Sequence, residues 1–481
     1  MQITINTQAA RFTMRGGFGV NWHAINDGPM TGAGSAWGAN PPAEDKAGWQ
    51  AVYAHAEWLG LDFVRACFAQ SSYQPGPTTF DWQTPDMRAL YRILDWCEQH
   101  GADVIMQQQW NGVEWNRYDD VDALHSAPRE IAPFASGFAT LAEYLVRERG
   151  YRCIKWACIT NEPREGWGWW RGPGDLPIST TPALAAVRAE LDARGLDIPL
   201  IAPDWIGLRA CDPAEIDFDH LIGAYDLHTY LEQYDLKPVG TTEPEQLIQD
   251  WVNWANRHGK PFFLTEFGSM NFGLYHDNPG PGTYAAGMKN VEQMLRGLHC
   301  GIEGFCRWSF TNRGDLDGQW QLIDTWDVAR QQLRPTFTPH PNVYALYGMV
   351  SRFVAKGSTV LECTVSGYPA HREGTGWQQY GLATALRSPN GALTVIVQNL
   401  TEQDVTVQIT LQGLGEPLTL HHYHVGQAAR NQVDVALDPT RSIKVTPEQP
   451  MFEDVAPGLS VTVYSTYLRQ HNQPGVTDER T

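Results

Sequence analysis

The sequence predicts an α/β fold, a (β/α)8 TIM barrel followed by a C-terminal antiparallel β-sandwich. First, short β-branched or apolar runs alternate with amphipathic stretches eight times over about 340 residues. Second, helical spacing ends near residue 354 and gives way to strands and turns. Third, no GxGxxG joins the first strand to the first helix, which argues against a dinucleotide-binding open sheet.

The barrel strands are expected at 18–23, 62–66, 103–110, 154–162, 200–205, 224–230, 262–268 and 304–310. Between them the helices have readable ends. Thr84 is a side-chain cap before Pro85, Met87, Leu90, Tyr91, Leu94 and Cys97 follow at helical spacing, and Gly101 stops the run. Thr181-Pro182 opens another, with Leu184, Val187 and Leu191 on its face and Gly195 at its end. Further helices are expected at 47–60, 133–149, 244–258, 283–299 and 342–353. The sandwich strands fall at 361–365, 380–387, 392–399, 405–411, 418–424 and 459–467, with Pro389-Asn390-Gly391 as a hairpin turn. Residues 2–13 read as two short strands that join the sandwich or plug the barrel bottom. The expected organisation is therefore N-terminal strands 1–15, a catalytic barrel 16–353, a sandwich 354–469 and a frayed tail 470–481.

Composition narrows the function. With 42% hydrophobic and 19% charged residues, the 481-residue chain has material for sizeable cores. A net charge of −19 repels a phosphate backbone, so nucleic acid is not the expected partner. No run approaches a membrane span, and Met1-Gln2-Ile3-Thr4-Ile5-Asn6 alternates like a strand instead of opening a signal peptide. Eight scattered cysteines without a CxxC fit free core thiols in a reducing compartment, so a cytoplasmic location is expected, the alternative being secretion after removal of a signal peptide. The chain also carries 19 Trp, 18 Tyr and 17 Phe, and Trp planes stack on the apolar faces of sugar rings.

Catalytic groups of such a barrel project from the C-terminal ends of its strands. Two strand ends carry a carboxylate in apolar company: Ile159-Thr160-Asn161-Glu162-Pro163 on the fourth, and Phe263-Leu264-Thr265-Glu266-Phe267-Gly268 on the seventh. An ionised carboxylate there costs several kcal/mol unless it is hydrogen-bonded or paired. Two facing carboxylates about 5 Å apart suit double displacement, one as nucleophile and the other as general acid and then base.

Asn161-Glu162-Pro163, the apolar-Thr-Glu-Phe-Gly setting of Glu266, His228-Thr229-Tyr230 on strand six and Trp308 on strand eight together resemble the clan A glycoside hydrolases. The resemblance covers residues of about 15–350, with family five nearest. The segment Tyr347-Gly348-Met349-Val350-Ser351-Arg352-Phe353, leading into a β-domain, resembles families thirty and thirty-nine. The resemblance makes Glu162 the acid/base, Glu266 the nucleophile and Asn161 the partner of the sugar 2-hydroxyl. By the same resemblance Arg65 and Tyr230 hold the nucleophile ionised, His228 orients the acid/base region or a hydroxyl, and Trp308 is the platform under the −1 sugar. Strand three departs from family five, where a His-Asn type pair is common: here it ends Gln107-Gln108-Gln109-Trp110-Asn111, and Gln109 or Trp110 replaces the His contact.

Weaker candidates surround this set. Trp167, with Trp169 and Trp170, lies in a Gly-rich loop after Glu162 and can line the mouth. Trp22 and His23 end strand one and touch substrate or pack in the core. Glu114, Glu165 and Glu303 read as surface carboxylates. His421, His422 and His424 resemble a metal tract, but neighbouring strand residues face opposite sides and no Cys or Asp completes a shell. Asn399-Leu400-Thr401 fits a glycosylation sequon, a motif common by chance. The expected activity is thus a retaining β-glycoside hydrolase without metal or organic cofactor, exo-acting on oligosaccharides or small glycosides. An endo-glycanase and a non-catalytic carbohydrate-binding barrel are the alternatives.

Overall fold

The computed structural model describes residues 1–24, 37–230, 243–270, 277–315, 318–367, 381–433 and 435–468, and the counts below refer to these. In chain order its strands and α-helices are β1 (Gln2–Thr13), β2 (Gly17–His23), α1 (Lys46–Leu59), β3 (Phe63–Ala69), α2 (Pro85–His100), β4 (Asp103–Trp110), α3 (Ile131–Glu143), β5 (Ile154–Cys158), β6 (Arg171–Gly172), β7 (Leu176–Pro177), α4 (Thr181–Ala193), β8 (Leu200–Ile206), β9 (Ile222–Tyr230), α5 (Glu243–Arg257), β10 (Phe262–Gly268), α6 (Tyr284–Cys300) and β11 (Gly304–Arg307). There follow β12 (Ile323–Asp327), β13 (Gln332–Pro339), α7 (Val343–Ser351), β14 (Thr359–Ser366), β15 (Gly381–Arg387), β16 (Leu393–Asn399), β17 (Val405–Gln412), β18 (Leu418–Val425), β19 (Arg441–Val445), β20 (Met451–Ala456) and β21 (Ser460–Ser465).

Eight parallel strands, β2, β3, β4, β5, β8, β9, β10 and β11, close into a barrel. Period-2 alternation fills its interior with Phe63, Ile105, Cys158, Ile201, Ala224, Phe263 and Cys306. Two residues further along β3 and β4 the same face turns polar, as Arg65 and Gln107. The helices start and stop on local chemistry: Thr84 Oγ1 accepts from Met87 N at 3.1 Å, Pro85 occupies the first turn, and Gly101 closes α2 at φ 72°. Its buried stripe, Met87, Leu90, Tyr91, Leu94 and Cys97, is the spacing read from the sequence. Helix α6 is different, because it is buried on nearly every side. The barrel covers one face and the β-domain another, with Gln398 Nε2 donating to Met288 O at 2.7 Å and Tyr284 OH to Leu459 O at 2.6 Å.

The C-terminal region is one nine-stranded sheet, ordered β19-β18-β21-β16-β15-β14-β1-β17-β20. Residues 2–13 form a single irregular strand that joins this sheet, antiparallel to β14 and parallel to β17. The sheet curls so that its two ends meet. Asp454 on β20 accepts from Arg441 on β19 and from Tyr464 OH at 2.9 Å, with His422 Nε2 at 3.5 Å. His422 thus takes part in a polar clasp that closes the sandwich around Ile3, Ile5, Val395, Val407, Ile409 and Leu420. Asn399 of the sequon is buried, and its Nδ2 donates to the Ala456 and Pro457 carbonyls. The expected tail, 470–481, lies outside the described residues.

Candidate active site

Three irregularities at the C-terminal ends of the strands aim the polar residues. Against β3, strand β4 carries an extra residue at Gln109; against β9, β8 carries one around Pro203-Asp204 and β10 one at Thr265. A bulge bends the strand and turns the next side chain. In this way Asp204 and Glu266 reach the axis that Arg65 and His228 already occupy. Glu162 follows β5 in the left-handed region, at φ 48°. Its backbone N donates to Asp204 O at 3.1 Å, and Trp169 N donates to Asn161 O at 3.1 Å, which ties down the loop. Gly168 belongs to this clamp, since a Cβ there would stand 2.0 Å from the Glu162 carbonyl oxygen.

The side chains form one network. Arg65 donates to Asn21 Oδ1 at 2.8 Å, Gln107 Oε1 at 3.1 Å, Asn161 Oδ1 at 3.0 Å and Asp204 Oδ1 at 3.0 Å, and it also donates to Glu266 Oε1. Tyr230 OH donates to Glu266 Oε2 at 2.8 Å. His228 is the bridge: Nδ1 lies 2.8 Å from Glu162 Oε1 and 3.4 Å from Glu266 Oε2, and Nε2 lies 2.9 Å from Asp204 Oδ1. The second Glu162 oxygen accepts from the Trp167 indole, whose residue is 58% exposed.

Burial alone would lower the His228 imidazole, but Glu266 and Asp204 outweigh it and hold it well above its ordinary value. Burial pushes the Glu266 carboxyl up, against the pull of His228 and Arg65 and with help from Glu162. Arg65 therefore does lower this carboxyl, as expected of a neighbouring guanidinium, without deciding the net direction. Asp204 is held below the usual range, Arg65 and His228 overcoming its burial. Asp226, behind it, is pushed up to about 7 by burial and by the Asp204 charge.

An aromatic wall stands beside this network. The Trp308 ring meets His23 edge-on at 4.7 Å and Trp37 at 5.8 Å between centroids, and Trp110 lies 6.4 Å from Trp37. Among the described residues, His23 has no partner at hydrogen-bond distance on either ring nitrogen, and Gln109 Oε1 and Trp110 Nε1 have none either. Burial and Arg65 push His23 down to about 3, with the neighbouring Gln109 amide pulling the other way, so the ring is neutral and can both donate and accept. Because of the bulge, both Gln109 and Trp110 border this region.

Glu162, Glu266, Arg65, Asn161, His228, Tyr230, Trp308, Trp110, His23, Gln109 and Trp167 are thus gathered at one end of the barrel. Trp22 is not. Its indole donates to Asn40 Oδ1 at 3.1 Å and packs against Trp49, Trp96 and Phe310 in the layer outside the barrel, because the strand's alternation gives the inner face to Asn21 and His23. Asn21, Gln107, Asp204, Asp226 and Trp37 belong to the assembly and were not singled out in the sequence. Asp204 lies within the strand expected at 200–205, one residue before its end, and Asp226 sits inside the strand expected at 224–230. Glu303 pairs with Arg15 at 2.9 Å, away from this network.

Two groupings have ligand atoms within 4.8 Å of one another, Glu162-His228-Glu266 and Asp204-Asp226-His228. Neither suits a cation well. His228 faces carboxylates through both nitrogens, and the Arg65 guanidinium already binds Glu266 and Asp204. No described helix is long and apolar enough to cross a membrane.

Comparison with known proteins fits this geometry. The family model described as cellulase (glycosyl hydrolase family 5) matches residues 15–295, more than half of the chain. No curated protein matches the sequence. Among solved structures, a glycoside hydrolase family 30 subfamily 8 xylanase from Clostridium acetobutylicum aligns with a TM-score of 0.62 at 16% identity, covering 96% of this chain and 99% of that one. A family 30 endoxylanase from Clostridium papyrosolvens gives 0.63 at 14%, covering 97% and 99%. A family 39 β-xylosidase from Caulobacter crescentus gives 0.60 at 11%, again covering 97% and 99%. These likenesses show the shared barrel and β-domain. The chain belongs to the cellulase family, glycosyl hydrolase family 5, and is a clan A glycosidase acting on carbohydrate.

Proposed function

We propose that the chain is a retaining β-glycoside hydrolase in which Glu266 is the nucleophile and Glu162 the acid/base. The observation that carries this reading is the spacing of the pair. A carboxylate oxygen of Glu162 and one of Glu266 lie within 4.8 Å, both facing His228 Nδ1. Retaining enzymes hold their carboxyl groups about 5–5.5 Å apart, whereas inverting enzymes leave about 6.5–9.5 Å for a water.

Glu266 attacks the anomeric carbon while Glu162 protonates the leaving oxygen, and the glycosyl-enzyme forms. Glu162, now a carboxylate, takes a proton from water, which attacks the same carbon and releases the sugar with net retention. Arg65 and Tyr230 stabilise the charge that returns to Glu266. Asn161 commits its Oδ1 to Arg65, so its amide nitrogen is the group turned to a sugar 2-hydroxyl. Trp308 supplies the platform for a flattened, oxocarbenium-like ring, and neutral His23 with Gln109 reads its hydroxyls. Exo action on oligosaccharides or small glycosides is favoured by the depth of the pair, since Glu162 is 5% and Glu266 3% exposed. The solved structures that share the fold include an endoxylanase and a β-xylosidase, so endo action is the alternative.

The test is a panel of nitrophenyl α- and β-glycosides with E162Q and E266Q alongside, product anomers followed by NMR. Turnover of a β-glycoside with a β-configured first product, lost in E266Q, is the expected result. An inverted first product sinks the mechanism. Equal reducing-end release from polymer and oligomer would replace exo with endo action.

A further inference from the structure

Asp204 is buried at the end of β8 and touches both halves of the catalytic pair indirectly. Its Oδ1 receives His228 Nε2 at 2.9 Å and Arg65 Nη2 at 3.0 Å. Its backbone N donates to Asp226 Oδ1 at 2.8 Å, and Asp226 Oδ2 in turn accepts from Thr265 OH at 2.6 Å, which fixes the carboxylate in place. The backbone at Asp204 is left-handed, φ 59°, an arrangement that persists where the surroundings over-determine it.

We propose that Asp204 is the positioning residue that keeps His228 donating from both ring nitrogens, so that the Glu162 proton is confined to the oxygen on the leaving-group side. The inference rests on Glu162 as proton donor. The charged groups facing His228 are Glu162 beyond β5, Glu266 on β10, Asp204 on β8, Asp226 on its own strand and Arg65 on β3. The ionised Asp204 and the nucleophile Glu266 only accept, so an imidazole with Nε2 on Asp204 and Nδ1 facing Glu266 carries a proton on each nitrogen. An Nδ1–H pointing at Glu162 Oε1 leaves no place there for a second proton. The acid proton then sits on Oε2, the oxygen beside exposed Trp167. Without the Asp204 charge, His228 releases one proton, Nδ1 becomes an acceptor, and the Glu162 proton turns towards it, away from the glycosidic oxygen.

The experiment compares D204N with wild type on two glycosides of one sugar, an unactivated phenyl glycoside and a 2,4-dinitrophenyl glycoside whose departure needs no proton. The expected result is a fall in kcat/KM of about 10²-fold or more on the first and less than about tenfold on the second. Equal falls on both substrates, or no fall on either, overturn the inference. A second measurement on wild type needs no turnover and holds even if D204N does not fold. In a 15N-histidine spectrum with the His228 signals identified by their loss in H228Q, both ring nitrogens remain protonated from pH 6 to 8. A neutral His228 ring overturns the proposal. Failure of the hydrolase reading looks different, because wild type then turns over neither glycoside while the His228 signals still report the ring.

Discussion

Two buried ion networks lie in this molecule, and they are built on opposite plans. Between α5 and α6, Arg296 binds Glu245 at 3.1 Å and Glu292 at 2.9 Å, and Lys289 binds Glu292 at 2.5 Å. Among the described residues these two cations meet two carboxylates, Glu292 at helical i,i+3 and i,i+4 spacing within α6 and Glu245 across from α5, and Glu292 is held below its usual range, Lys289 and Arg296 overcoming its burial. At the barrel mouth, Arg65 and His228 face Asp204, Glu162 and Glu266, with Asp226 behind. Negative charge is in excess there, two carboxyls are pushed up, and Glu162 and Asp204 have left-handed backbones. Charge balance marks a network that only has to persist, whereas imbalance marks one poised to exchange a proton.

The contrast can be broken by moving the same change between the networks. E266Q should abolish turnover, on the order of 10⁴-fold or more in kcat, while thermal unfolding shows the fold kept. A residual rate near wild type would mean that Glu266 is not the nucleophile. E292Q, the matching change in the helix network, should cost about 3–5 kcal/mol in denaturant unfolding because it removes the buried carboxylate charge that both Arg296 and Lys289 bind. Its kcat per folded molecule should stay that of wild type, and a specific loss of activity would end the distinction.

Smaller effects sharpen it through pH. Asp226 is pushed up to about 7 in the folded chain, against roughly 3.9 when unfolded, so the native state keeps a proton that the unfolded state releases. That stability is fully present below the unfolded value and is lost as pH rises through about 7. D226N should flatten the fall in unfolding free energy between pH 5 and 7 by about 1.4 kcal/mol per pH unit, and an unchanged slope would remove Asp226 from the coupling. The raised Glu266 carboxyl predicts that the acidic limb of kcat/KM lies above that of an ordinary glutamate. In the β-domain, H422A should cost only about 1 kcal/mol, since Asp454 keeps Arg441 and Tyr464.

Much of this was legible beforehand where the signal is local. Helix α2 was bounded by a Thr cap and a Gly stop, and strands 103–110 and 262–268 were read at their observed limits. Strands β19 and β20 were missed because they lie at the two ends of the sheet and carry charged residues facing solvent, so little period-2 contrast remains. The hairpin of β12 and β13 was missed as well, its second strand being mostly exposed. At the site, Glu162 and Glu266 stood out as carboxylates ending apolar runs, and His228 through the resemblance of His228-Thr229-Tyr230 to the clan A hydrolases. Asp204 did not, since it lies within the strand expected at 200–205 and the bulge that turns it to the axis depends on pairing with β9.

Taken alone, the sequence determined the alternation that closes a barrel, the two glutamates at its strand ends and the switch to β structure after α7, because each is written in short-range pattern and residue type. Only the tertiary structure decided that Trp22 faces outward and His23 inward, that bulges bring Gln109 and Trp110 to one wall, and that Asp204 links His228 to Arg65. Those outcomes depend on strand register and on charges brought together from five strands, and neither is encoded within any one segment.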